Sequence, residues 1–416
     1  MIQLIIFEDI KFKNFYSLAY FRPVFEMKLG TSTLEEKIRK LYPDTLVAYS
    51  IRAHLKEYYS EIYPDKMINS YSKDAEMFLC INGRLLLDSN QKIPLEGDEE
   101  IVFNGDDVVY LRIKRDKIDL LDNDEDKHLK DVMLGVFKNQ REEKGYSLLS
   151  YPWEMIPING AWIKKEFDEF KNRSGVLEKS KYNFKITGDI ENLWISSTAK
   201  LENFVELNVE GGPIIVEAGV EIHSFSRIEG PAYIGKNCRL LGAKVRSGTS
   251  LFENCRIGGE VEESIFFGNS NHYHHGFIGH SVVGEWVNIG ALTATSDLKN
   301  NYGKIRIITS EKTIQTDQIK IGSIIGDFTK FGIGTLLNTG SLIGVSANVF
   351  GGGIQPKFIP SFSWGGGENF KEYNPGKGVE TNRTILSRRN KIFSKTFEQL
   401  YLNAFSITSS ERKNLL

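Results

Sequence analysis

With 416 residues the chain is long enough for two or three hydrophobic cores. Its 52 basic and 54 acidic residues leave a formal charge of −2, which excludes the strongly basic surface that nucleic-acid binding needs. Cys80, Cys238 and Cys255 have neither CxxC spacing nor a disulfide framework, and no stretch has the length of a membrane helix or the flanks of a signal peptide. A reducing, cytoplasmic setting without a membrane partner is therefore expected.

The first 185 residues alternate short apolar runs with helical patterns. IQLIIF (2–7), TLVAYSI (45–51) and MFLCING (77–83) read as strands, and TSTLEEKIRKLY (31–42) as a helix capped by Thr31 or Ser32. EEIVFNG and VVYLRI predict a hairpin around Gly105-Asp106. VMLGVFKNQREEKG (132–145) and GAWIKKEFDEFKNR (160–173) predict helices, the second reached through the connection YPWEMIPING (151–160). This alternation implies an α/β layer domain over 1–185 with a mostly parallel sheet.

From about 200 to 362 aliphatic side chains recur every sixth residue. One run is Val216, Ile222, Ile228, Ile234 and Leu240; a second is Ile319, Ile325, Phe331, Leu337, Ile343 and Val349. Val245, Leu251 and Ile257 keep the period after a slip of one residue. A helix repeats at 3.6 and a strand at 2, so neither explains it. A triangular parallel β-helix does, because each six-residue unit forms one short side and turns one aliphatic inward. Its flat faces suit lateral packing into a homotrimer. The period fails from Thr295 to Lys312, as expected of a loop extruded at a corner, and such loops often carry function. The remaining tail, 363–416, contains one expected amphipathic helix over 381–405, with Ile385, Ile392, Phe393, Phe397, Leu400 and Tyr401 as its apolar face.

Four of the seven histidines crowd into one segment: His272, His274, His275 and His280. They can be a polar patch of solvated or core histidines. They can also be metal ligands completed by a neighbouring coil or subunit, or supply a general base that takes a proton from an attacking amine.

The stretch His274-His275-Gly276-Phe277-Ile278-Gly279-His280, followed by Gly284-Glu285-Trp286-Val287-Asn288-Ile289-Gly290-Ala291, resembles the acetyltransferase half of a bifunctional bacterial enzyme family. That family makes UDP-N-acetylglucosamine and carries motifs of the form H-L-T-Y-L-G-D, I-G-D-N-V-N-I-G-A-G-T and C-N-Y-D-G. The resemblance implies a left-handed hexapeptide-repeat β-helix, with His274 as general base and Asn288 on the sugar. Arg246, in Val245-Arg246-Ser247-Gly248, resembles the arginine that grips the sugar phosphate, a role a bidentate guanidinium suits. Asn301-Tyr302-Gly303 lies near the family's Asn-Tyr element, so Asn301 and Tyr302 join the expected acceptor contacts. The family's lysine pair lines up near Glu263-Ser264, and Lys299 in the excursion is the expected substitute. For the acyl donor, acetyl-CoA, the expected contacts are Thr335, beside the Ile333 that replaces a serine, and Gly351 of a glycine run that lets a pantetheine arm approach the backbone. The pair Arg388-Arg389 reads either as a solvated face or as a contact for coenzyme A phosphates.

The front half resembles a divergent, Bacteroidetes-type group of the same family, through Phe7-Glu8-Asp9, Phe21-Arg22-Pro23 and Lys28-Leu29-Gly30. The resemblance spans nearly the whole chain and implies a sugar nucleotidyltransferase-like, Rossmann-like domain. The glycine-rich loop that cradles nucleotide phosphates is absent after the first strand. Asp9, Arg22, Lys28 and Asn82 are the expected nucleotide contacts. Asn82 stands where the family has a magnesium-ligating Gly-Asp, and an amide is a poorer Mg2+ ligand than a carboxylate. The resulting expectation is acetyl transfer to an amino sugar 1-phosphate, glucosamine 1-phosphate first, with nucleotidyl transfer from UTP in the front half. No metal is expected at the histidines. Two other readings stay open: a metal-dependent hydratase of the carbonic-anhydrase type, and an acyltransferase whose front domain only binds or senses a nucleotide sugar.

Overall fold

The computed structural model describes residues 1–121, 129–133, 135–173 and 184–413. The chain forms two compact units. The first comprises 1–27, 32–151 and 393–404; the second comprises 28–31, 152–392 and 405–416. The expected boundary at 185 thus differs from the observed division, because the helix Met155–Lys171 belongs to the second unit.

The first unit is built on a seven-stranded sheet. In spatial order its strands are Met67–Ile68, Val47–Ser50, Ile2–Phe7, Met77–Asn82, Asp107–Lys114, Glu100–Asn104 and Gln140–Glu142. Ile2–Phe7 is central and parallel to both neighbours, with Ile5 opposite Ala48 on one side and Cys80 on the other. A strand covered on both faces reads as an unbroken aliphatic run, which is why IQLIIF is legible. The hairpin at Gly105 forms as expected. The helix of 31–42 is Leu34–Lys40, and Thr33 rather than Thr31 or Ser32 caps it, in a reciprocal capping box with Glu36. Of the helix expected over 132–145 only Val132 and Met133 are helical among the described residues, at the end of Leu129–Met133. Gly135 takes a left-handed φ of 96°, and Gln140–Glu142 adds a parallel edge strand beside Glu100–Asn104.

The second unit contains the left-handed parallel β-helix. Its first face runs from Lys185–Thr187 to Gly353–Ile354, its second from Leu193–Ile195 to Phe358–Ile359, and its third from Lys200–Leu201 to Ser363–Gly366. Successive coils stack in parallel register, as Val216 on Ile234 on Leu251 and Ile222 on Leu240 on Ile257 show. The six-residue period is therefore a walk around the prism: Val216, Ile222 and Ile228 lie on successive faces, and all are buried. Each buried aliphatic contributes roughly 1.5–3 kcal/mol relative to exposure. The slip before Val245 is a coil one residue short, which still pairs Val245 with Ile228. Ile319 is the exception. It is 49% exposed, because the excursion leaves after Ala294–Thr295 and the coils resume only at Ser323–Ile325. The excursion is longer than expected and is itself structured, with the hairpin Arg306–Ile308/Thr313–Gln315. Ile305 and Ile307 pack on Gly340, where an added Cβ would lie 2.6 Å from the Ile305 methyl.

The single C-terminal helix expected over 381–405 is instead two, Pro375–Ser387 and Lys395–Ile407. Asn390 has a φ of 53° between them, and Ile392, expected on the apolar face, is 88% exposed. Among the described residues no helix is long and apolar enough to cross a membrane.

Candidate active site

Each coil of the β-helix has three corners, and the histidines are distributed over them. His272 ends a third-face strand and points inward. Its register partner is Ile257, and Asn271 beside it pairs with Asn288, so the imidazole sits in the core stack between Ile257 and Ile289. The slot is shaped for it: a Cβ at Gly259 would lie 2.2 Å from Nε2, and one at Gly276 2.8 Å from Cε1. Among the described residues neither ring nitrogen has a partner in hydrogen-bond geometry, although the ring faces the Gly276 carbonyl. Burial pushes its pKa down to about 4 against the small opposing effect of that carbonyl, so the ring is neutral.

His274 and His275 are exposed on the turn that joins the third face to the first. The His274 ring meets Tyr273 edge-on at 5.1 Å. It borders a cavity of about 450 Å³ lined by Asn271, Asn288, Arg256 and Ile333 as well. Asn271 donates to the Asn288 side chain at 3.3 Å, so two stacked amides form the floor beside the imidazole.

His280 lies six residues beyond His274, and six residues is one corner further. It is buried between carboxylates of two other coils, with Asp297 at 2.6 Å from Nδ1 and Glu263 at 3.1 Å from Nε2. Burial opposes its charge, but the two carboxylates outweigh it and push the pKa up to about 9. The four histidines therefore do not converge within one chain. Among the described residues no three His, Cys, Asp or Glu side chains form a group that could hold a metal ion.

The expected phosphate and loop contacts lie at the His280 corner. Arg246 faces Glu262 at 3.3 Å, Glu260 at 3.5 Å and Glu229 at 3.8 Å. The excursion starts from the same corner, where Asp297 meets His280. Within it the Lys299 amine donates to the Lys304 carbonyl, the Asn301 side chain accepts from the Gly303 N–H at 3.1 Å, and Tyr302 is exposed with a φ of 54°. One chain thus brings His274 and Asn288 together, and separately gathers Arg246 and the excursion at the next corner. Of the expected donor contacts, Thr335 is buried with its hydroxyl bonded to the Gly332 carbonyl at 2.8 Å, so it does not face a ligand. Gly351 has a φ of 95° and open space where a Cβ would stand, which is compatible with close approach of a ligand to its backbone.

In the first unit Asp9 and Asn82 do meet, but around a protein cation. Arg84, fully buried, donates to Asp9 at 2.5 and 2.9 Å and to Asp107 at 2.6 Å, while Asn82 donates to Asp9 at 2.8 Å. Burial alone would raise the Asp9 pKa; the Arg84 guanidinium overrides it and holds the carboxyl below its ordinary value. Arg22 is buried and donates to the Leu18 carbonyl at 2.9 Å. Lys28 belongs to the second unit, where its amine bonds the Phe267 carbonyl and lies 3.2 Å from both Glu253 and Glu285. These four expected nucleotide contacts are engaged with protein partners rather than gathered around an open cleft. Asp9 and Asn82 as arranged do not fit a magnesium ion, since the only carboxylate of the pair already neutralises Arg84.

Residues 4–174 match the sugar nucleotidyl transferase family. The chain is 28% identical over 275 residues to a bifunctional sugar-1-phosphate nucleotidylyltransferase/acetyltransferase of Sulfurisphaera tokodaii, covering 64% of this chain and 59% of that protein. It is 32% identical over 196 residues to the bifunctional protein GlmU of Methanocaldococcus jannaschii, covering 45% of this chain and 43% of that one. The GlmU of Methanococcus maripaludis strain C5 is 26% identical over 219 residues, covering 51% and 46%. The chain is a divergent relative of these bifunctional proteins. It spans about half the length of the curated relatives it matches.

In this divergent relative the third face carries residues that sequence reading missed. Register stacks Arg239 on Arg256 on Asn271 on Asn288 on Lys330 along its outer surface. No local signal joins Arg256 to Lys330, because their adjacency depends on coil lengths and on the excursion between them.

Proposed function

We propose that the β-helix transfers an acetyl group from acetyl-CoA to the amine of an amino sugar 1-phosphate, glucosamine 1-phosphate first. The observation that carries this reading is His274, exposed at the mouth of a cavity beside the paired amides of Asn271 and Asn288. The imidazole takes the proton from the amine as its nitrogen attacks the thioester carbonyl. Backbone N–H groups of a coil corner stabilise the tetrahedral oxyanion, and its collapse expels the coenzyme A thiolate and leaves the amide. Asn288 orients the sugar hydroxyls.

A homotrimer completes this reading. Phe204 and Phe225 are 71% and 76% exposed and stack in parallel at 5.6 Å, on the same corner of the coils as His274. Leu292 and Ile333 extend this apolar ridge. A second copy packed there with its own Arg246, Lys299, Asn301 and Tyr302 would unite the two half-sites that one chain keeps apart. We infer for the first unit that it binds a nucleotide or nucleotide sugar. Its family match favours nucleotidyl transfer, with UTP and magnesium, whereas the sealed Asp9–Arg84–Asp107 triad favours binding without turnover.

The test is product analysis by mass spectrometry with acetyl-CoA, UTP and a panel of sugar phosphates, together with pyrophosphate release. Transfer to an amino sugar phosphate that His274→Ala abolishes supports the reading. No acetylated product from any acceptor rejects it, and pyrophosphate release decides between the two readings of the first unit.

A further inference from the structure

A second cavity, of about 500 Å³, lies between the outer surface of the third face and the helix Pro375–Ser387 with the two residues after it. It shares Arg256, Asn271 and Asn288 with the cavity at His274, so the two adjoin. Its wall contains four cations, Arg256, Lys330, Arg388 and Arg389, and no carboxylate. Among the described residues none of the four has an ion-pair partner. They come from three chain segments and are held close despite mutual repulsion. Arg389 is fixed in place by donating to the Asn254 carbonyl at 3.1 Å and to the Asn271 side chain at 3.0 Å. The Lys330 amine donates to the Phe328 carbonyl at 2.8 Å. Trp286, in line with Phe328, forms an aromatic wall.

We propose that this cavity is an anion subsite that takes the phosphate or diphosphate of a ligand whose reacting end lies at His274. Like charges gathered without a counter-charge are costly unless a ligand supplies one. Burial pushes the Lys330 pKa down to about 8, and burial together with Arg256 and Arg239 lowers that of Arg389. A dianion reverses both effects, and guanidinium forks suit its oxygens. These cations lie on the flank of the coils and keep their charge uncompensated, unlike Arg246, whose three carboxylate neighbours already meet its charge. Two sources share this chemistry: the phosphate of the sugar acceptor, and the nucleotide phosphates of the acyl donor. Naming the source rests on the acetyl-transfer reading; the anion site does not.

The experiment is calorimetric titration of the full chain with sodium pyrophosphate at low and high salt, then with glucosamine 1-phosphate and with adenosine 3′,5′-bisphosphate. Arg256→Gln and Arg388→Gln are the informative variants, because neither guanidinium bonds another described residue and the fold does not depend on them. Each is expected to weaken pyrophosphate binding by roughly tenfold or more, the usual share of one charge-assisted contact, with unchanged circular dichroism. Binding should also weaken at high salt. The organic phosphate whose affinity falls in the same variants is the natural source. No saturable pyrophosphate binding at low salt, or equal affinity in wild type and both variants, overturns the proposal. If pyrophosphate binding falls in the variants while no acceptor is ever acetylated, the subsite stands and the acetyl-transfer reading fails. If an acceptor is acetylated while binding is the same in wild type and variants, acetyl transfer stands and the subsite fails.

Discussion

Replacing His272 with leucine should stabilise the β-helix, and increasingly so toward acid. The ring sits in an aliphatic stack with both nitrogens unbonded, and an unsatisfied buried polar group costs roughly 1–3 kcal/mol. Leucine is of similar volume, so repacking should cost less than about 1.5 kcal/mol. Near pH 7 folded and unfolded rings are both mainly neutral, and the net gain is on the order of 1 kcal/mol. The folded pKa is depressed, to about 4 against an ordinary 6.5. Between those values the unfolded chain binds the extra proton, so wild-type stability falls as the pH falls through that window. At pH 5 this adds about 2 kcal/mol to the variant's advantage. Urea unfolding followed by circular dichroism, for both proteins at pH 7 and pH 5, measures the difference, and groups common to both cancel. Identical pH dependence in the two proteins would refute the buried, neutral ring, as would a variant less stable than wild type at pH 5.

His280 has the opposite sign. Its folded pKa is raised to about 9, so the stability it contributes is complete below 6.5 and is lost as the pH rises through 9. Because Glu263 is partly exposed, solvent screening limits this to about 2 kcal/mol. His280→Gln should flatten the decline in thermal midpoint between pH 7 and pH 10, and an unaltered decline would sink the assignment. Arg84→Met leaves the nearly buried Asp9 without its guanidinium, while Asp107 keeps Lys11 at 2.8 Å, and should destabilise the first unit by about 3 kcal/mol. Adding Asp9→Asn should recover part of that in urea unfolding; no recovery would speak against the triad. His274→Ala should lower acetyl transfer by roughly 10²- to 10⁴-fold with the oligomer intact, whereas comparable losses for His274→Ala and His275→Ala would argue against a single base. Light scattering at micromolar concentration should give a trimer mass, and a monodisperse monomer would contradict the split site.

The β-helix and the parallel strands of the first unit are legible along the chain, for a local reason. One inward aliphatic per six-residue side and one unbroken apolar run per doubly covered strand are written in consecutive residues. The sequence also placed His274 on a corner turn, since the position of a turn is set by the coil that carries it. The tertiary structure decided what depends on partners far along the chain. Asp9 resembles a ligand-binding carboxylate until Arg84 and Asp107 enclose it, and Lys28 a free cation until Glu253 and Glu285 flank it. Ile319 keeps the period in sequence yet lies outside the prism, because the excursion ends after it and not before. Arg256, Lys330 and Arg389 come together only through the stacking of coils and the return of the C-terminal helix. Periodicity is a property of neighbours in sequence and fixes which way a side chain points. Charge compensation is a property of neighbours in space, and the fold alone supplies those.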